Sequence, residues 1–184
     1  MSLPLTIAHF AVSVLAVIVN GCATRASVVY PDNWPRVKLA ASCGSMTGIY
    51  INSAQEKTSR SNAYLSSLLR EGLDVSSDSD SNDSSIRLDA GKLTIETSSD
   101  GVWAVSQNLM KGHWSCESTG VLSATFDRDA PSEGSVGNRA KISVQLYMTE
   151  GGFLVAHQIV TFYAGFPTGG SREAWFLFKH NTER

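Results

Sequence analysis

The chain has 184 residues, 42% of them hydrophobic and 17% charged, with a formal net charge of −2. That length supports one domain with its own core and no need of metal or dense disulfides. The near-neutral balance gives no electrostatic case for nucleic acid, which needs a basic face.

In chain order the first feature is the apolar run Ile7 to Val19, which ends at Asn20, Gly21 and Cys22. The run is short for a span and sits at the extreme N-terminus, which is the form of a cleaved secretory signal. An aliphatic residue at minus three, a small one at minus one and then a cysteine make Val19-Asn20-Gly21-Cys22 resemble the lipobox of bacterial lipoproteins. Asn20 stands where small or apolar residues are usual, and no Lys or Arg precedes the run. The competing form is an uncleaved helix from Leu3 to Val19, near the lower limit of about 17 residues for a span.

The resemblance implies that residues 1–21 are removed and that Cys22 carries lipid. Several acyl chains bind durably where one binds marginally. Ala23 rather than Asp after the cysteine implies an outer-membrane anchor facing the periplasm. The expected organisation is a signal peptide over 1–21, a lipidated Cys22 and tether over 22–36, and a single β-rich domain over 37–184. With Cys22 taken by lipid, Cys43 and Cys116 remain as a pair in an oxidising compartment, so a disulfide is expected. The alternative, a site built on Cys116 and His113, offers two ligands where structural zinc wants four.

Residues 23–36 carry Pro31 and Pro35 without sustained periodicity and read as a tether, with Tyr30-Pro31-Asp32-Asn33-Trp34-Pro35 able to pack on the body. From Val37 the apolar period is two. Ile142 to Met148 is its clearest instance, with Ile, Val, Leu and Met on one face and Ser, Gln and Tyr on the other. Further strands are expected at Met46 to Asn52, Ile86 to Asp89, Lys92 to Thr97, Gly101 to Ser106, Gly120 to Phe126, Phe153 to Tyr163 and Arg172 to Phe178. Turn chemistry separates them, including Ser99-Asp100-Gly101 and Glu150-Gly151-Gly152. Residues 61–72 have apolar side chains at Tyr64, Leu65, Leu68 and Leu69, Ser or Asn ahead and Gly72 behind, the pattern of one short helix. The fold class expected is all-β and mainly antiparallel: a meander of about eight strands forming a lipocalin-like small barrel or a sandwich, with that helix covering an end or an edge.

Candidate chemistry is sparse. Asp78, Asp80 and Asn82 fall at positions one, three and five of a calcium loop, but Asp83, Ser85 and Asp89 stand where such a loop needs Gly, an aliphatic residue and Glu. A solvated acidic loop over Ser76 to Ser85 is expected instead. His157 lies mid-strand with Phe153, Val155 and Ile159 on its own face, opposite Leu154, Ala156, Val160 and Phe162, and reads as a packing residue of a central strand. His113 and His180 read as solvated. Ser42-Cys43-Gly44-Ser45 and Gly134-Ser135-Val136-Gly137 do not form a nucleophile elbow, and the Gly pairs at 151–152 and 169–170 lie in turns rather than before a phosphate-cradling helix. Trp103, Trp114, Phe153, Phe162, Phe166, Trp175, Phe176 and Phe178 read as core in preference to the lining of a ligand cavity. No catalytic residue, metal site or cofactor is expected.

Cys43, then Gly48-Ile49-Tyr50-Ile51-Asn52, a Leu-rich helix, a run of strands, a second cysteine and Trp175-x-x-Phe178 resemble a loose group of small proteobacterial outer-membrane lipoproteins, Gly152 to Ala156 filling the hairpin place. Ile49 replaces the usual Thr. The resemblance implies an antiparallel barrel-like fold and transfers no activity. The expectation is a membrane-anchored periplasmic lipoprotein that binds or braces an envelope protein partner without chemistry. The alternative is a lipocalin-like carrier of a small apolar ligand or lipid, and a further rival is an envelope hydrolase that uses a histidine.

Overall fold

The computed structural model describes residues 28–40, 42–60, 62–71, 82–89, 92–110, 114–130, 138–163 and 170–182. The signal run, Cys22, Asp78, Asp80, His113, the segment 134–137 and Phe166 lie outside them.

Eleven strands run in chain order as β1 (Val37–Lys38), β2 (Gly48–Ile51), β3 (Glu56–Lys57), β4 (Asp83–Asp89), β5 (Lys92–Ser99), β6 (Val102–Met110), β7 (Trp114–Cys116), β8 (Leu122–Ala130), β9 (Asn138–Thr149), β10 (Leu154–Tyr163) and β11 (Gly170–Phe178). A 3-10 turn spans Cys43–Met46 and helix α1 spans Leu65–Glu71. Eight of the strands fall on the stretches expected from the sequence. The three others, β1, β3 and β7, have two or three residues each, too few for a period to register.

One sheet has the order β3-β11-β10-β9-β8-β7, and the other β2-β4-β5-β6, with every ladder antiparallel. β1 pairs with Met148 and Thr149 of β9, beyond the point where β8 ends its own pairing at Leu146. The tail after β11 crosses to the other sheet. Ile51 N–H donates to Lys179 O at 2.9 Å and Asn181 N–H to Ile49 O at 2.8 Å, around a bridge between Tyr50 and His180. The sheets are not closed into a barrel, so the all-β expectation resolves in favour of a sandwich.

The core follows from the alternation. Ile142, Val144 and Leu146 of β9, Leu154 and Ala156 of β10, and Phe176 and Phe178 of β11 face Ile86, Leu93 and Ile95 of the second sheet, and all are buried. The space at the second sheet is filled by Leu65, Leu68 and Leu69 of α1, all at 0% exposure, with α1 lying against β5 and β6. Cys43 and Cys116 are joined by a disulfide with Cα atoms 5.9 Å apart, clipping the 3-10 turn to β7 across 73 residues. In the chain-entropy account such a loop closure contributes about 4 kcal/mol.

The helix starts later than its apolar pattern suggested, at Leu65 rather than near Ser61, because its first turn is capped from a distance. Ser53 and Tyr64 form a β-bridge, Leu65 N–H donates to Asn52 O at 2.8 Å, and Ser66 N–H donates to Asn52 Oδ1 at 3.0 Å. A tyrosine cannot cap, and the amide of Asn52 takes that role from β2's end. The same oxygen accepts from Ser66 Oγ at 3.0 Å and Ser84 Oγ at 2.8 Å. This bears on the acidic run as well: its end is not a solvated loop but the start of β4. Asp83 and Ser84 are buried there, with Asn181 Nδ2 donating to Asp83 Oδ1 at 3.0 Å. Paired polar groups can enter a sheet that unpaired ones would destabilise.

The Ser99–Val102 hairpin turns where Asp100 and Gly101 predicted it. Both have positive φ, 52° and 83°, the backbone that a two-residue turn between right-twisted strands demands.

Candidate functional site

Two places outside the core gather side chains able to recognise something: the outer face of the larger sheet, and a cleft at one end of the sandwich.

On the outer face, β10 and β11 present Val155, His157, Leu177, Trp175 and Glu173. The segment ahead of β1 runs over Val155, Leu177 and Trp175. Trp34 is buried against Val155 and Leu177, with Tyr30, Tyr147, Phe153 and Trp175 packed around. Tyr30 stands edge-on to both Trp34 and Trp175, with ring centres 5.8 and 5.2 Å away. Two polar contacts fix the strap: Trp175 Nε1 donates to Val28 O at 2.6 Å, and Tyr30 hydroxyl donates to Pro35 O. Burial there pushes the Tyr30 phenol above its usual value. Part of what composition marks as tether is thus a strap docked on the domain. Apolar residues on both faces of β10 have two explanations, the core on one side and the strap on the other.

His157 lies flat on Trp175, with ring centres 3.9 Å apart and planes within 4°. They are direct cross-strand partners. Its Nε2 is 3.7 Å from Glu173 Oε2, buried and without a hydrogen bond among the described residues. Burial holds the imidazole below its ordinary value, and the Glu173 carboxylate works against that. The packing role expected of His157 holds in its stacking, but the ring faces the strap side rather than the core. Beyond it Tyr147 hydroxyl donates to Gln145 Oε1 at 2.9 Å, and burial, followed by the charge of Glu117, raises the Tyr147 phenol.

The end cleft has a volume of about 410 Å³ and is lined by Ser45, Met148, Gly151, Gly152, Phe153, Lys179, His180 and Thr182. Three elements meet there: the 3-10 turn, the β9–β10 hairpin and the tail that ties the sheets together. His180, expected to be solvated, is half-buried and built in. Its ring stands edge-on to Tyr50 with centres 5.2 Å apart, and a Cβ on Gly48 would come within 2.6 Å of its Nε2. Gly48 is therefore the residue whose missing side chain makes room for the imidazole. Tyr50, fully buried, donates its one hydroxyl hydrogen to Met46 O at 2.9 Å, with Met148 Sδ 3.6 Å from the same oxygen, and burial drives its phenol well above the usual range. The Gly48-x-Tyr50-x-Asn52 pattern thus has one physical meaning per position: space for His180, a brace for the cleft wall, and the cap of α1.

The other sequence candidates disperse. Cys43 and Cys116 meet as a disulfide, and among the described residues no group of three His, Cys, Asp or Glu could hold a metal ion. Phe176 and Phe178 are core, Trp114 packs against it, Trp175 and Phe153 belong to the outer face, and Phe162 lies under Arg172 with the guanidinium carbon 5.6 Å from the ring centre. Sequence reasoning missed His180 and Asn52 as working residues. The signal available for both was their place around Gly48-Ile49-Tyr50, a short motif with a glycine inside a strand, which marks close approach of another group. No protein-family model matches the sequence, and no curated protein matches it.

Proposed function

We propose that the chain is a lipoprotein of the bacterial envelope, held through Cys22 in the outer membrane and facing the periplasm, whose β domain works by binding or bracing an envelope partner and performs no chemistry. The observation that best supports this reading is the strap. A free tether would let the domain roam, whereas Val28 is pinned to Trp175, six Cα–Cα steps from Cys22 with five residues between them. At 3.3–3.6 Å per extended residue they reach at most about 20 Å. A lipid on Cys22 would therefore hold one patch of the larger sheet close to the membrane and turn the rest outward. His157, the side chain best suited to acid–base work, buries its Nε2 beside Glu173 and gives a face to Trp175, an arrangement suited to packing.

Metabolic labelling with a palmitate analogue tests the anchor. Wild type should be labelled and Cys22→Ser should not, and an unlabelled wild type removes the proposal. For the partner, photo-crosslinkers at the exposed Leu39 and Val102, 67% and 73% accessible, should trap one dominant envelope protein in the host. The carrier alternative draws on the end cleft, because the space between the sheets is occupied by Met46, Tyr50, Leu65, Leu68, Phe176 and Phe178. Native mass spectrometry of protein purified from its host should then show a bound small molecule.

A further inference from the structure

The end cleft is mixed in character in a directed way. Met148 and Phe153 give it apolar wall, Ser45 and Thr182 give hydroxyls, and Lys179 and His180 give nitrogen donors. Among the described residues that line it, Lys179 is the one with a fixed charge, and none is a carboxylate. Lys179 extends from a backbone that cannot drift, since its carbonyl accepts from Ile51 while Asn181 N–H is held by Ile49. His180 is held beside it by the space over Gly48 and by the edge of Tyr50. Among the described residues Ser45 Oγ donates to Ser42 O over 3.4 Å, a long contact that a better acceptor displaces.

A concave site of a few hundred Å³ with apolar walls and a few convergent polar groups is the ordinary form of a small-molecule site. A lone ammonium beside donors of hydrogen bonds selects an anion. We infer that this cleft binds a small amphipathic anion, a phosphate or carboxylate bearing an apolar group, with Lys179, His180, Ser45 and Thr182 on the anionic end and Met148 and Phe153 on the apolar end. This deepens the reading of the domain as a binding module and rests on it, while standing independently of lipid on Cys22.

The test uses the full chain in a maltoside detergent with methyl-labelled methionine. Among the described residues that line the cleft, Met148 is the methionine, and its signal is assigned by Met148→Leu. Phenyl phosphate and benzoate are titrated in, with benzyl alcohol as the neutral twin. The Met148 methyl should shift saturably with at least one anion at about 1 mM or below, and the neutral twin should bind about tenfold more weakly or worse. Lys179→Met, at an exposed position, should cost about tenfold in affinity, and Lys179→Arg should restore it. A tighter phosphate points to a phospholipid headgroup or phosphate ester, and a tighter carboxylate to a fatty or aromatic acid. No shift with either anion up to about 10 mM, equal binding of the alcohol, or an unaffected Lys179→Met overturns the inference. Failure here with a labelled Cys22 removes the cleft alone, and an unlabelled Cys22 with intact anion binding removes the anchor alone.

Discussion

Adjacent residues Phe176 and Leu177 lie on one strand, yet they belong to two different structures. Phe176 points into the sandwich, in the core cluster built from both sheets, α1 and the 3-10 turn. Leu177 points outward, where its cover is Trp34 and the strap that leads back toward Cys22. The inner face is aliphatic and phenyl in character. The outer is built from Trp, Tyr and His, whose flat bodies are apolar while their edges make hydrogen bonds. The difference separates an interior closed by sheets and helix from a face covered by the segment ahead of β1.

Variants at graded positions sharpen this contrast. Phe176→Ala opens a cavity in the packed interior and should cost up to about 5 kcal/mol in chemical denaturation, the largest effect expected. Asn52→Ala strips the partner from Ser66 N–H, Ser66 Oγ and Ser84 Oγ inside the protein and should cost about 3 kcal/mol, with loss of helical signal in far-UV circular dichroism. Trp34→Ala should cost only about 2 kcal/mol. Its signature would be protease cleavage within residues 28–36 while the domain stays intact, and cleavage unchanged from wild type would break the division into core and strap.

The smallest effect is at His157. Its folded value lies below that of the unfolded chain, so the unfolded chain binds more protons, and stability should fall as pH drops through the usual histidine range near 6.5. His157→Gln should flatten that limb of the stability profile. Glu173→Gln should steepen it, because the carboxylate is what opposes the burial effect. A profile identical in wild type and both variants would mean that the ring is not buried between Trp175 and Glu173.

The strands were legible because burial on one side writes itself into a chain every second residue, as Ile142 to Met148 does. The helix was legible in its apolar positions but not in its start, since its cap comes from Asn52, outside any local pattern. His180 was illegible for a related reason: its surroundings are assembled by Gly48 and Tyr50, some 130 residues away in sequence. β10 carried a message that sequence reading took only halfway. Its second apolar face announced a cover, and only the docked strap says what the cover is.

The oxygen of Asn52 ties the order in which the molecule can form. A helix of seven residues does not pay for its own nucleation in water, and this one receives its cap from the end of β2 and shares it with β4. The helix therefore cannot precede the pairing of β2 with β4, and those strands leave the Asn52 oxygen without its two Ser66 donors until the helix arrives. Sheet edge, helix and β4 become a single cooperative unit, so the amides of Leu65 to Leu69 should exchange with solvent at the rate of the second sheet, not at that of a surface helix.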